Sequence, residues 1–127
     1  MKLRIKDDTV RFRVPPSGVE SLMREGRLTS EVHFSLRPNR SLSYSLVLDD
    51  GLDRATLNFN GNEIIARLPK AEAIHWAFSD AVDLRGEIKL DESSLLTLLV
   101  EKDFACLDLS DEENRDTYPN PNAGQSC

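Results

Sequence analysis

Apolar and polar residues alternate one for one along much of this chain, and that period constrains the fold more than any other feature. In KLRIK (2–6), Leu3 and Ile5 point one way and Lys2, Arg4 and Lys6 the other. TVRFRV (9–14) repeats the pattern with Val10, Phe12 and Val14 against Arg11 and Arg13. Period-two patterning marks strands buried on one face, and Asp7-Asp8 suits a tight turn between these two. Further strands are expected at Val32, Phe34 and Leu36, then at Leu42, Tyr44, Leu46 and Leu48 across the turn Arg37-Pro38-Asn39-Arg40. RATLNFN (54–60) and EIIARL (63–68) flank Asn60-Gly61-Asn62, a strong hairpin signal. Val82, Leu84, Ile88 and Leu90 follow, and the run Leu95–Val100 is apolar on both faces, which places that strand centrally.

Two short helices interrupt the strands. After Pro15-Pro16, Ser17 can cap and Glu20 stands three residues later as in a capping box, with Val19, Leu22 and Met23 as the apolar stripe and Gly26 at the exit. Pro69 opens the second helix, KAEAIHWAF, which is expected to turn Ile74, Ala77 and Phe78 to the core. Each half thus reads strand, strand, helix, strand, strand.

The expected fold is one α+β domain over residues 1–109, mainly antiparallel β, with eight or nine strands in a sandwich or barrel-like arrangement. Two duplicated ββαββ halves cover about 1–49 and 54–101, and an acidic tail follows at 110–127. Two helices cannot cover so much apolar sheet, so the sheets must cover each other or a partner must. At 127 residues, 39% hydrophobic and 30% charged, the chain is ordinary for a folded domain. Charges break every apolar run that could serve as a signal peptide or membrane span, and Cys127 is last rather than fourth from the end, so it is no prenylation box. These features lead us to expect a cytoplasmic protein with reduced thiols and no membrane association.

The net charge of −6 belongs to the tail, since residues 101–127 hold seven acids against Lys102 and Arg115. On the strand faces opposite the core stand Lys2, Arg4, Lys6, Arg11, Arg13, Arg54, Arg67, Arg85 and Lys89, against Glu31, Glu63, Asp83 and Glu87. Such a face protects sheet edges and aids solubility. Where its bases converge it can hold phosphate or a nucleotide, and Arg4, Lys6, Arg11, Arg13 and Arg67 are the candidate anion ligands. If the duplicated strands closed into a barrel, the architecture would resemble the triphosphate tunnel enzymes. Those open on Glu-x-Glu-x-Lys, however, whereas this chain reads Lys2-Leu3-Arg4-Ile5-Lys6.

No phosphate loop, nucleophile elbow or His-Glu-x-x-His occurs, and the acidic run from Asp108 lacks the Gly and Glu of a calcium loop. No cofactor is implied. Cys106 reads first as a buried core thiol. Cys127 is a chain end, the partner of Cys106 in a redox clasp, or a member of a zinc site with Cys106, Asp108 and His75. His75 itself reads as a helix-surface or packed residue, Trp76 as buried, and His33 has no evident acid partner.

EKDFACLD, the acids after it, PNPNA and the closing Cys127 resemble the signature of a family of small bacterial proteins of uncharacterised function, as do KLRIK and IHWAFSDAVDL. That resemblance implies a shared fold and supplies no mechanism. Three functional classes follow. The first is a binding or interaction protein without catalysis, taking a protein partner or a second copy rather than nucleic acid. The second is an anion-binding protein or enzyme using the basic face, and the third is a thiol or zinc switch.

Overall fold

The computed structural model describes residues 1–105 and 115–119. Eight strands and two helices follow in the order β1 (Lys2–Lys6), β2 (Thr9–Val14), α1 (Pro16–Glu25), β3 (Arg27–His33), β4 (Ser41–Asp49), β5 (Thr56–Asn60), β6 (Glu63–Pro69), α2 (Lys70–Phe78), β7 (Asp83–Lys89) and β8 (Leu95–Lys102). The class is α+β and mostly strand, as the alternation requires. The strands form two separate four-stranded sheets, β1-β2-β8-β7 (sheet A) and β3-β4-β6-β5 (sheet B), so they enclose no tunnel.

The pairing differs in one respect from an antiparallel system. Consecutive strands form antiparallel hairpins, but β2 lies parallel to β8 and β4 parallel to β6 at the centre of each sheet. Each sheet therefore takes one hairpin from each half of the chain. The halves are equivalent in order, and in register for the β1–β2 and β5–β6 hairpins and the two parallel pairs, while β3–β4 and β7–β8 differ by two residues. Lys2 pairs with Arg13 in β1–β2 and Thr56 with Arg67 in β5–β6, a shift of 54 positions. Thr9 pairs with Thr97 and Ser43 with Glu63 under the same shift. Both tight turns place a positive φ at the first central residue, Asp7 (50°) and Gly61 (62°), as this type of two-residue hairpin loop demands. The amides of Leu48 and Lys102 donate to the carbonyls of Gly26 and Val82 at 2.9 and 3.1 Å, acceptors that differ by the same two-residue offset as β3 and β7.

The core lies between the sheets. Val10, Phe12, Val14, Leu98 and Val100 of sheet A meet Tyr44, Leu46, Ile64, Ala66 and Leu68 of sheet B. The Phe12 and Tyr44 rings, 6.4 Å apart and tilted, join the two faces. Ala55 packs on Gly86, where an added Cβ would come within 3.0 Å of the Ala55 Cβ. β8 is central and buried on both faces at Leu98, Leu99 and Val100, in keeping with its unbroken apolar run.

The helices close the sandwich, with two corrections to what their sequences suggested. α1 does bury Val19 and Leu22 and leaves through Gly26, whose φ of 76° lets its amide reach the Leu22 carbonyl. The capping box does not form, because Pro15 is the N-cap and no side-chain cap bond is made. Ser17 instead gives its amide (3.3 Å) and its hydroxyl to the Asp116 carboxylate, so an acid from the tail sits where the helix N-terminus favours negative charge. α2 buries Ala73 and Trp76 rather than Ile74 and Phe78, which are exposed. Apolar residues occupy nearly every side of α2, so periodicity could not choose among them. Trp76 stands 54 positions from Leu22 and donates its indole N–H to the Val82 carbonyl at 3.2 Å. β3 also ends early, leaving Phe34 and Leu36 exposed in the loop instead of extending the core.

Leu22→Ala is expected to cost about 2–5 kcal/mol in urea unfolding, as for other fully buried leucines. Ile74→Ala, at the position periodicity favoured, should cost less than about 1 kcal/mol because no enclosed cavity is left.

Candidate functional site

The β1–β2 hairpin turns its polar side away from the core and forms the outer face of sheet A. The register arranges that face in three rungs: Lys2–Arg13–Glu101–Asp83, Arg4–Arg11–Leu99–Arg85 and Lys6–Thr9–Thr97–Glu87. Lys2 thus lies directly opposite Arg13, and Arg4 directly opposite Arg11. Like charges facing each other across an antiparallel pair are destabilising. Leu99 is only 4% exposed although it points outward, since Arg11 and Arg85 flank it and arginine stems cover apolar surface while holding their guanidinium groups in water.

These bases are only partly neutralised. Lys2 Nζ pairs with the buried Asp103 carboxylate at 3.1 Å. Arg11 Nε is 3.7 Å from Glu101 Oε1, too far for a hydrogen bond, and that oxygen is buried with no donor. Arg4, Lys6, Thr9 and Arg11 line a small concavity of about 160 Å³, and among the described residues no carboxylate, imidazole or thiol lines it with them.

Sheet B supplies an internal comparison. Its rungs are Thr56–Arg67–Val47–Arg27, Asn58–Ile65–Ser45–Thr29 and Asn60–Glu63–Ser43–Glu31, of which the first three members match sheet A and the β3 member is offset by two residues. Where sheet A has Lys2, Arg4, Lys6 and Arg11, sheet B has Thr56, Asn58, Asn60 and Ile65. Thr29 and the buried Ser45 share a hydrogen bond of 2.8 Å at the centre. At those four positions the same hairpin carries neutral side chains, so the concentration of bases on sheet A is not a demand of the fold.

The structure thus brings Arg4, Lys6, Arg11 and Arg13 together and places Arg67 elsewhere, on the outer face of sheet B with its guanidinium on Asn58 at 3.0 Å. Alternation identifies which face a residue occupies but not which sheet. His75 is exposed on α2, while Cys106, Asp108 and Cys127 lie outside the described residues. Among the described residues no group of His, Cys, Asp and Glu could hold a metal ion. His33 does have an acid partner, Glu31, at 2.6 Å on the same strand face. One group that sequence reasoning passed over is the deeply buried Lys102, while Tyr118, a residue able to anchor the tail, returns it to the body through a short parallel bridge to Phe104. Tyr118 donates its amide to the Asp103 carbonyl at 2.7 Å and receives the Ala105 amide at 2.5 Å. Burial first, and the nearby Asp116 carboxylate second, push its phenol above the ordinary value and keep it neutral.

Two four-stranded sheets exchanging hairpins between duplicated halves, with a cationic hairpin on one outer face, define a small duplicated α+β protein. The chain belongs to the family of unknown function DUF7009, whose model matches residues 1–122. No curated protein and no solved structure matches it. No helix among the described residues is long and apolar enough to cross a membrane.

If the facing bases repel, Arg4→Glu should stabilise the free protein by about 0.2–1 kcal/mol at low salt. The gain should fade as salt screens the pair, while the same change at Asn60, which faces Glu63, should show no such gain. Thermal unfolding across a salt series checks this.

Proposed function

We propose that the protein is a non-catalytic binding protein that takes a phosphate group on the outer face of sheet A. Arg4 and Arg11 hold the anion, Lys6 and the Thr9 hydroxyl complete its shell, and Lys2 and Arg13 extend the positive field along the hairpin. The observation that carries this reading is the contrast between the two duplicated faces. Solubility and edge protection apply equally to both, yet only one stacks like charges opposite each other. An anion between Arg4 and Arg11 would relieve that repulsion with charge-assisted hydrogen bonds, and guanidinium groups suit phosphate oxygens in pairs.

The concavity of about 160 Å³ suits one phosphate group, not a whole nucleotide, so any attached group would lie along the strands. Binding without chemistry is the reading because Thr9 supplies the concavity's sole hydroxyl among its lining residues, with no carboxylate or imidazole beside it to activate that hydroxyl.

Titration of ¹⁵N-labelled protein with inorganic pyrophosphate is expected to shift the amides of Arg4, Lys6, Thr9 and Arg11 and to leave Asn58 and Ile65 unmoved. Arg11→Gln should weaken binding by about tenfold, and raising salt should weaken it further. Equal shifts on both faces, or affinity untouched by Arg11→Gln, would overturn the reading.

A further inference from the structure

The buried end of β8 poses a separate question. Lys102 is 7% exposed, and lysine is almost never buried unless paired. Its Nζ donates to the Ser79 carbonyl at 2.7 Å and lies 5.7 Å from the centre of the Tyr118 ring. Ser79 is the C-cap of α2, where a cation is favoured by the helix dipole and by carbonyls without intrahelical donors. These contacts fix the ammonium in place but occupy only one of its three hydrogen-bond donors. Among the described residues no carboxylate neutralises it: the adjacent Asp103 pairs with Lys2, and the Tyr118 phenol is held in its neutral form.

Lys102 lines a cleft of about 510 Å³ between the end of α2, the start of β7 and the returning tail. The walls include Phe78, Val82, Phe104 and Tyr118, with exposed Asp80 among the lining residues. Phe78 is 77% exposed, an aromatic ring left in water on the wall of the same cleft. The corresponding position in the first half is Leu48, so the duplicated architecture does not require a charge here.

We propose that this cleft binds an organic monocarboxylate with an apolar, preferably aromatic, body. Its carboxylate pairs with Lys102 and its body lies against Phe78, Val82, Phe104 and Tyr118. The volume is in the range of small-molecule sites, which are mostly apolar with a few fixed polar groups. One ammonium neutralises one carboxylate. A phosphate dianion would bring a second charge into an apolar cleft with Asp80 nearby, at a desolvation cost nothing there offsets. The cleft is thus distinct in ligand class from the basic face of sheet A.

The test is a titration of full-length protein with 3-phenylpropionate and, separately, with its neutral counterpart 3-phenylpropanol. The Trp76 indole N–H serves as the NMR reporter, because it is bonded to the carbonyl of the cleft residue Val82. The acid is expected to bind at least about tenfold more tightly than the alcohol. Lys102→Met, which keeps the apolar stem, should bring the acid down to the alcohol's affinity while leaving the pyrophosphate response of sheet A intact. Phe78→Ala, a surface change that does not threaten folding, should weaken acid and alcohol alike. If Lys102→Met fails to fold, the contrast between acid and alcohol together with Phe78→Ala decides the matter. Equal affinity for acid and alcohol, acid binding that survives Lys102→Met, or no response of the wild-type protein to the acid would overturn the proposal.

Discussion

The parallel pairs β2–β8 and β4–β6 are the constraint on which the rest of the structure depends. A hairpin needs only its own turn, but a parallel pair needs a long connection. The β2–β8 connection runs through both helices and the whole of sheet B, whereas the β4–β6 connection is β5 with its loops. Neither half can complete a sheet alone, because each central strand finds its parallel neighbour in the other half. That requirement puts the most apolar strand, β8, at the centre of sheet A. It brings Phe12 against Val100 in register and lets the helices cross between layers with Leu22 and Trp76 as equivalent plugs. It also sets the cationic β1–β2 hairpin beside the Glu101–Leu99 stretch of β8.

Duplication makes the molecule its own control. In the β1–β2 and β5–β6 hairpins and the two parallel pairs, positions related by 54 residues share register, so a difference in chemistry between them there is not imposed by the strand pairing. Two such differences stand out. One outer face is built from Lys2, Arg4, Lys6 and Arg11 where the other has Thr56, Asn58, Asn60 and Ile65. One strand ends on buried Lys102 where its counterpart has Leu48. Both costs, facing like charges and a desolvated ammonium, fall on the same sheet. Natural sequences accept local destabilisation of this kind where a site requires it.

Much of the fold was legible in the residues. The alternation located six of the eight strands, the unbroken apolar run gave β8, Asn60-Gly61-Asn62 and Asp7-Asp8 gave two of the hairpins, and the prolines marked both helix starts, whereas β3 was expected around Val32–Leu36 and spans Arg27–His33. Strand partners were not legible, because alternation records which face a residue occupies and nothing about its neighbour. Arg67 was grouped with Arg4 and Arg11 for that reason, although it belongs to the other sheet. The buried face of α2 was hidden by Ile74 and Phe78, apolar residues that face solvent. The cap of α1 comes from Asp116, a residue far along the chain, so the local Ser17–Glu20 spacing misled. Lys102 escaped notice because a lysine closing a strand ordinarily marks its exit into water. Only the packing of α2 and Tyr118 over it reveals its burial.

The most direct test of this account is the NOE network across the two central strand pairs in solution. Backbone contacts linking Phe12 to Val100 and Leu46 to Ala66, in the pattern of parallel strands, are the expected result. Contacts that instead joined consecutive hairpins within each half, with none between β2 and β8, would contradict the interleaved architecture. The cationic face and the Lys102 cleft would then lose the framework that positions them.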